Sequence, residues 1–234
     1  MTDPTSPNGL LVIDKPLGWT SMGVCKKVRW LLVQGGAKKK VKVGHAGTLD
    51  PLATGVLVVL VGKATKLQDR YMAGEKEYVA EIDLAHFSTT DDREGERTDV
   101  EIDQTPSRED VERACRKFVG EIAQRPPAYS AMKVDGKRAY KLARQGEQVE
   151  LKARPVIIHE IGVVEYAYPR LVIDVRCGKG TYIRSLARDL GETLGTGGML
   201  DGLRRTRVGE WGIDRARTIE SLPEPMTEKD LIAL

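Results

Sequence analysis

Hydrophobic positions along the chain switch between a period of two and a period near 3.6, and the switches mark out its elements. Residues 9–13 form an apolar run of buried-strand length, ending at Asp14-Lys15-Pro16-Leu17-Gly18-Trp19. Thr20 or Ser21 then caps a helix whose apolar positions Val24, Val28, Leu31 and Leu32 recur at helical spacing, and Gly35-Gly36 stops it. Short and longer strands are expected at 41–43 and 56–61, on either side of a glycine-rich loop. Over 76–87 the period of two returns, with Tyr78, Ala80, Ile82 and Leu84 on one face and Glu81 and Asp83 on the other. A turn at 90–95 leads to a return strand at 100–102. Ser107 and Asp110 make the capping box of a helix carrying Val111, Ala114, Phe118 and Val119 inward.

Residues 125–154 break the pattern. They open on the stiff Arg125-Pro126-Pro127 step, offer few large apolar side chains, and predict a mobile, insertion-like segment with a basic helix around 137–145. Strands return at 156–166 and 171–177. A helix from about Thr181 follows, with the stripe Ile183, Leu186, Ala187, Leu190 and Leu194, and Gly195 ends it. Residues 203–208 read as a strand edge with basic tips, and 219–234 as a capped terminal helix. Long alternating strands and few helices, without repeated strand–helix–strand units, predict an α+β fold in one domain spanning 1–234.

Chemistry concentrates in the loop Gly44-His45-Ala46-Gly47-Thr48-Leu49-Asp50-Pro51-Leu52-Ala53-Thr54-Gly55. Pro51 biases Asp50 toward an extended or turn conformation, so a lone carboxylate sits on a stiff connection between two buried strands. Such a placement suits a catalytic group. It suits equally an Asp50 that caps one helical turn with Pro51 at its first position. A second oddity is Arg184, in the first turn of its helix, where the dipole disfavours a cation and a carboxylate partner is expected.

Charge sharpens the picture. The net charge of +3 conceals +6 over residues 1–80, −7 over 81–124, +5 over 125–154 and −1 over 155–234, a distribution that suits a phosphate-binding protein. Lys38, Lys39, Lys40 and Lys42 lead directly into the Asp50 loop. Cys25, Cys115 and Cys177 are widely spaced and odd in number, which fits free thiols in a reducing cytosol. No run approaches the roughly 18 apolar residues of a membrane helix, and the first eight residues lack the apolar core of a signal peptide.

The Asp50 loop closely resembles the catalytic motif of the TruB family of tRNA pseudouridine synthases. So do Lys76-Glu77-Tyr78, Cys177-Gly178-Lys179-Gly180-Thr181-Tyr182-Ile183-Arg184 and Leu203-Arg204-Arg205-Thr206. The 15–21 segment resembles the family's first motif and is read as supporting the site. The resemblance spans about residues 9–208. It implies a pseudouridine synthase fold: a mixed, mostly antiparallel central sheet flanked by helices, with a basic thumb-like insertion at about 125–154. It also implies that the enzyme isomerises uridine to pseudouridine at position 55 in the T loop of tRNA, with no cofactor and no metal. Asp50 would then be the nucleophile on a flipped-out nucleotide, paired with Arg184, while Tyr78 stacks on the uracil and helps move the C5 proton. His45, Tyr182 and Leu203 would bind the substrate nucleotide, and Lys133, Lys137, Arg138 and Arg144 the RNA of the T arm.

Two departures from the family pattern stand out. Met199 occupies a place where many members have histidine. The stretch after the core, about 209–234, is shorter than the family's C-terminal PUA-type domain, so RNA affinity is expected to rest on the core and thumb and to be strongly salt-dependent. The expected protein is a cytoplasmic monomer. Competing readings are an RNA-guided synthase of the box H/ACA type, a tRNA-folding chaperone without turnover, and a nucleosidase, although the motifs lack the second carboxylate a retaining glycosidase uses.

Overall fold

The computed structural model describes residues 6–130, 132–134, 137–138 and 151–234, with side chains omitted at 133, 134, 137 and 138. In chain order these form β1 (Gly9–Lys15), α1 (Ser21–Gln34), β2 (Val43–His45), β3 (Ala53–Val61), α2 (Gln68–Ala73), β4 (Lys76–Asp83), β5 (His86–Ser88) and β6 (Arg97–Asp99). There follow α3 (Arg108–Arg116), β7 (Gly120–Gln124), β8 (Lys133–Val134), β9 (Lys137–Arg138), β10 (Arg154–Ala167), β11 (Arg170–Cys177), α4 (Ile183–Leu194), β12 (Met199–Val208) and β13 (Trp211–Gly212). The α+β class and the mixed sheet are as expected. The chain divides into two compact units, the first made of residues up to Tyr78 together with Leu203–Leu234, the second of Val79–Gly202.

In the first unit β3 is central. β1 pairs antiparallel along its whole length, from Gly9 opposite Val61 to Lys15 opposite Gly55, and β2 pairs antiparallel as well. β12 instead runs parallel to β3, with Leu203, Arg204 and Arg205 opposite Ala53, Thr54 and Gly55. One face of β1 and β3 (Leu11, Ile13, Leu57, Val59, Val61) packs on the buried side of α1, through Val24, Cys25, Val28, Leu31 and Leu32. The opposite face (Leu10, Val12, Val56, Val58, Leu60) packs on Ala64, Val208 and Trp211. Strands covered on both faces need apolar residues at every position, which is why both read as continuous runs rather than alternations. Thr20 caps α1 by accepting the Gly23 N–H.

The expected terminal helix does not form. Residues 219–234 contain a single 3-10 turn, Glu228–Asp230, and otherwise run as an irregular strap. Ile219, Leu222, Met226 and Leu231 sit at near-helical spacing and are buried, but they belong to the same core as α1. Pro223 and Pro225 remove two helical N–H donors between them. Beyond the strap, Leu10 and Ile232 exchange backbone hydrogen bonds at 3.0 and 2.8 Å, so the chain's last residues lie along β1.

The second unit orders its strands β4, β11, β10, β7, with β10 antiparallel to both neighbours, and packs α3 against β10 and α4. Ser107 and Asp110 form the expected capping box on α3. Val119, expected inward, lies beyond the helix end and is 44% exposed. The strand expected over 76–87 breaks after Asp83, whose carboxylate accepts the Ala85 N–H and faces His86, turning the chain into β5. β5 pairs with Arg97–Asp99 rather than with 100–102. Lys137–Arg138 pairs antiparallel with Lys133–Val134 as a strand where a helix was expected. The rest of that expected helix, Arg144 included, lies outside the described residues. All three cysteines are buried and free, and burial pushes the Cys25 and Cys115 thiols up to about 11.

Candidate active site

The first unit holds His45, Asp50, Tyr78 and Leu203; the second holds Tyr182 and Arg184. The Asp50 loop is fastened from three directions. The Ser21 hydroxyl donates to the Leu49 carbonyl at 2.9 Å and accepts the Leu49 N–H at 2.8 Å, while the Gly18 N–H donates to the Pro51 carbonyl at 2.8 Å. The Ala53 N–H closes back on the Asp50 carbonyl at 3.0 Å, a tight turn that feeds straight into β3. No helical turn follows Asp50, so its reading as a helix cap is excluded.

The third fastening is Arg205, 1% exposed. Its Nε donates to the Val56 carbonyl at 2.7 Å, and its Nη2 and Nη1 donate to the Gly47 and Thr48 carbonyls at 3.2 and 3.4 Å. One buried guanidinium therefore ties the loop's start to the strand that follows it. The pairing of β12 with β3 places Arg205 opposite Gly55, whose φ of +101° suits glycine, and a Cβ there would come within 2.2 Å of the Arg205 carbonyl oxygen. Alternation along β12 sends Arg204 the other way, where its guanidinium meets both oxygens of Asp14 at 2.7 and 3.2 Å. From sequence, both arginines read as basic tips of a strand edge. The period of two could have shown that neighbouring side chains of that strand face opposite ways, but not what Arg205 holds.

Lys15, at the end of β1, is wholly buried, with its ammonium donating to the Pro16 and Trp19 carbonyls at 3.0 and 2.7 Å. Burial lowers its pKa from 10.5 to about 8; the Asp50 carboxylate opposes the shift and the Arg205 guanidinium adds to it. The native state thus binds fewer protons than the unfolded chain between about pH 8 and 10.5, and the stability tied to Lys15 rises with pH across that window. Urea denaturation at about pH 7, 8.5 and 10 should reveal that rise, and Lys15→Met should flatten it. Burial, then Arg205, likewise push the pKa of His45 below its ordinary value, against the Gly47 backbone, favouring a neutral imidazole suited to packing against a nucleotide. Tyr78 is half-buried on β4, and Leu203 packs at the margin of the α1 core.

In the second unit, Tyr182 and Gln124 exchange hydrogen bonds: the Tyr182 N–H donates to Gln124 Oε1 at 2.8 Å, and Gln124 Nε2 donates to the Tyr182 carbonyl at 3.1 Å. The Arg154 guanidinium lies 5.3 Å from the centre of the Tyr182 ring. Arg184 is 7% exposed, 3.3 Å from the Asp92 carboxylate, and donates to the carbonyls of Thr90 at 3.2 Å and Tyr129 at 3.0 Å. Asp92 is buried too, and its other oxygen accepts from the Thr90 hydroxyl and the Glu94 N–H. The carboxylate that a cation at a helix start requires is thus found here in Asp92, a residue whose sequence context showed only a turn. One turn along α4, Arg188 meets Asp91 at 2.7 Å, and both Arg188 and Ser185 donate to the Arg125 carbonyl. Met199 is fully buried at the start of β12.

The site thus comprises a carboxylate on a loop fastened through its backbone, in an α+β fold. Solved structures share this fold. A chain in the crystal structure of a Cbf5–Nop10–Gar1 complex superposes with a TM-score of 0.69 at 31% identity over 92% of this chain. A chain in an H/ACA ribonucleoprotein bound to a substrate RNA containing 2′-deoxyuridine gives 0.65 at 27% identity over 95% of this chain. This chain spans only 53% and 58% of those two.

The chain belongs to the TruB family of pseudouridylate synthases. Its N-terminal-domain model matches residues 35–183, and the C-terminal-domain model of tRNA pseudouridylate synthase B matches 184–231. A protein of Phocaeicola vulgatus named tRNA pseudouridine synthase B is 48% identical over 222 residues, covering 95% of this chain and 94% of its own. One of the same name from Mycobacteroides abscessus is 47% identical over 232 residues, covering 97% and 76%.

Proposed function

We propose that this chain, working as one catalytic domain and as a monomer in the cytoplasm, isomerises uridine to pseudouridine at position 55 in the T loop of tRNA. Asp50 is the nucleophile, and Tyr78 and Arg184 are its accompanying catalytic residues. The observation that carries the reading is the Asp50 loop itself. Its backbone is held by Ser21, Gly18 and Arg205, so main-chain contacts set where the carboxylate stands.

Pseudouridine is an isomer of uridine, so the balance is internal. The N1–C1′ bond breaks, the uracil turns, C5 bonds to C1′, and the proton lost from C5 is matched by one gained at N1. An ionised carboxylate, a surface to hold the detached base and a group to take the C5 proton suffice. Asp50 supplies the first, while His45, Tyr182 and Leu203 with Tyr78 supply the second. Stacking of one base on an aromatic ring contributes roughly 1–3 kcal/mol, of the same order as the cost of flipping it out. Lys133, Lys137, Arg138 and Arg144 would grip the T arm.

Incubating unmodified tRNA with purified protein and mapping pseudouridine tests the reading: conversion at position 55 alone is expected, and no conversion in any T loop would overturn it. The likeness to chains from guide-RNA complexes favours a second reading, an RNA-guided synthase. It covers little more than half of those chains, however, whereas curated relatives match over most of their length. Conversion of tRNA with no guide RNA present separates the two.

A further inference from the structure

Between Asp14 and Asp50 the chain carries eight lysines and arginines and no aspartate or glutamate. Six of them, Lys26, Lys27, Lys38, Lys39, Lys40 and Lys42, lie on α1 or in the loop after it with side chains reaching the surface of the first unit. Helix α1 buries Val24, Val28, Leu31 and Leu32 and turns Met22, Lys26 and Trp30, spaced four apart, to solvent. Lys27 lies half-exposed beside them, its Nζ 4.2 Å from the centre of the Trp30 ring and 3.6 Å from Glu224. The loop after α1 keeps Ala37 and Val41 in the core and leaves Lys38, Lys39, Lys40 and Lys42 exposed. At the other end of α1, Leu17 and Trp19 are exposed on the turn whose Gly18 N–H holds the Pro51 carbonyl. The stripe therefore starts against the Asp50 loop and continues for about 20 Å, the length of a 14-residue helix.

Exposed tryptophans set among cations, with Glu224 beside Lys27 as the acid met along the stripe, suit a polyanion that also offers flat rings to stack on. Resting on the reading that the substrate is RNA, we infer that this face of the first unit binds the sugar–phosphate backbone of that RNA outside the target nucleotide, with Trp19 and Trp30 as stacking platforms. It is an RNA-binding surface built from residues other than the basic 125–154 segment, and it extends the hold on substrate away from the Asp50 loop.

The test is a variant carrying Lys26→Gln, Lys38→Gln, Lys39→Gln, Lys40→Gln and Lys42→Gln, all exposed positions, beside a control carrying Lys63→Gln and Lys66→Gln, exposed in the same unit. For the five-site variant, KM for tRNA at about 0.1 M salt is expected to rise roughly 10- to 100-fold, with kcat at saturation within about twofold of the parent. The slope of log affinity against log salt should flatten by about 3–5, at roughly 0.7–0.9 for each phosphate no longer neutralised. The control should leave both unchanged. An unaltered KM and slope in the five-site variant, or an equal loss per charge in the control, would overturn the inference. Affinity is measured on an Asp50→Asn background, where no turnover is needed. A flattened slope there, with no pseudouridine made by the parent, keeps the surface and removes the proposed activity; the converse keeps the activity and removes the surface.

Discussion

Asp50→Asn is expected to lower kcat for pseudouridine formation by at least about a thousandfold while the Kd for tRNA stays within about threefold. The substitution is nearly isosteric, and backbone groups of Gly47, Thr48, Leu49 and Pro51 fasten the loop. The scaffold should therefore survive while the proposed nucleophile goes. Single-turnover assays on unmodified tRNA, with binding measured in parallel, separate the two effects. A variant that still refolds T loops but makes no pseudouridine would leave room for an accessory chaperone role. One that isomerises at the parental rate would remove Asp50 from the chemistry. Release of free uracil by the parent protein would point instead to a nucleosidase.

Arg205→Ala should be the most damaging single change to stability, costing about 3–5 kcal/mol. It strips three carbonyls, those of Gly47, Thr48 and Val56, of their donor and opens a void where a guanidinium was packed. Arg205→Lys cannot span all three acceptors from one ammonium and should cost less, about 1–3 kcal/mol, with kcat falling further than stability alone would dictate because the loop loses its register. Urea denaturation followed by tryptophan fluorescence is well suited to this measurement. All three tryptophans, Trp19, Trp30 and Trp211, belong to the first unit, so the signal reports the half of the molecule that carries Arg205. A loss under about 1 kcal/mol with full activity would refute the clamp.

Local chemistry was legible in the chain wherever it decides structure within a few residues. Thr20 and the Ser107–Asp110 box fix two helix starts through contacts three residues apart, and the unbroken apolar runs of β1 and β3 announce strands covered on both faces. The Asp50 loop was legible as a motif. Less visible was what holds it, because Ser21 and Arg205 act across separations of 28 and about 150 residues that no local period encodes. The same limit explains Arg184, whose need for a carboxylate could be stated from the helix dipole but whose neighbour Asp92 could not. The strap at 219–234 misled for a different reason: burial of Ile219, Leu222, Met226 and Leu231 mimics a helical stripe, and the two prolines between them weigh more than the spacing.

The division of the chain also sets the order in which the molecule can come into being. The second unit is one uninterrupted stretch of chain, whereas the first is assembled from two stretches far apart in sequence. Its Asp50 loop is translated early but receives Arg205 only after some 150 further residues, and β1 waits for Ile232. The Asp50 loop is therefore among the last parts of the chain to receive its full set of fastenings, and a chain cut short before Arg205 would leave the Gly47, Thr48 and Val56 carbonyls without that donor.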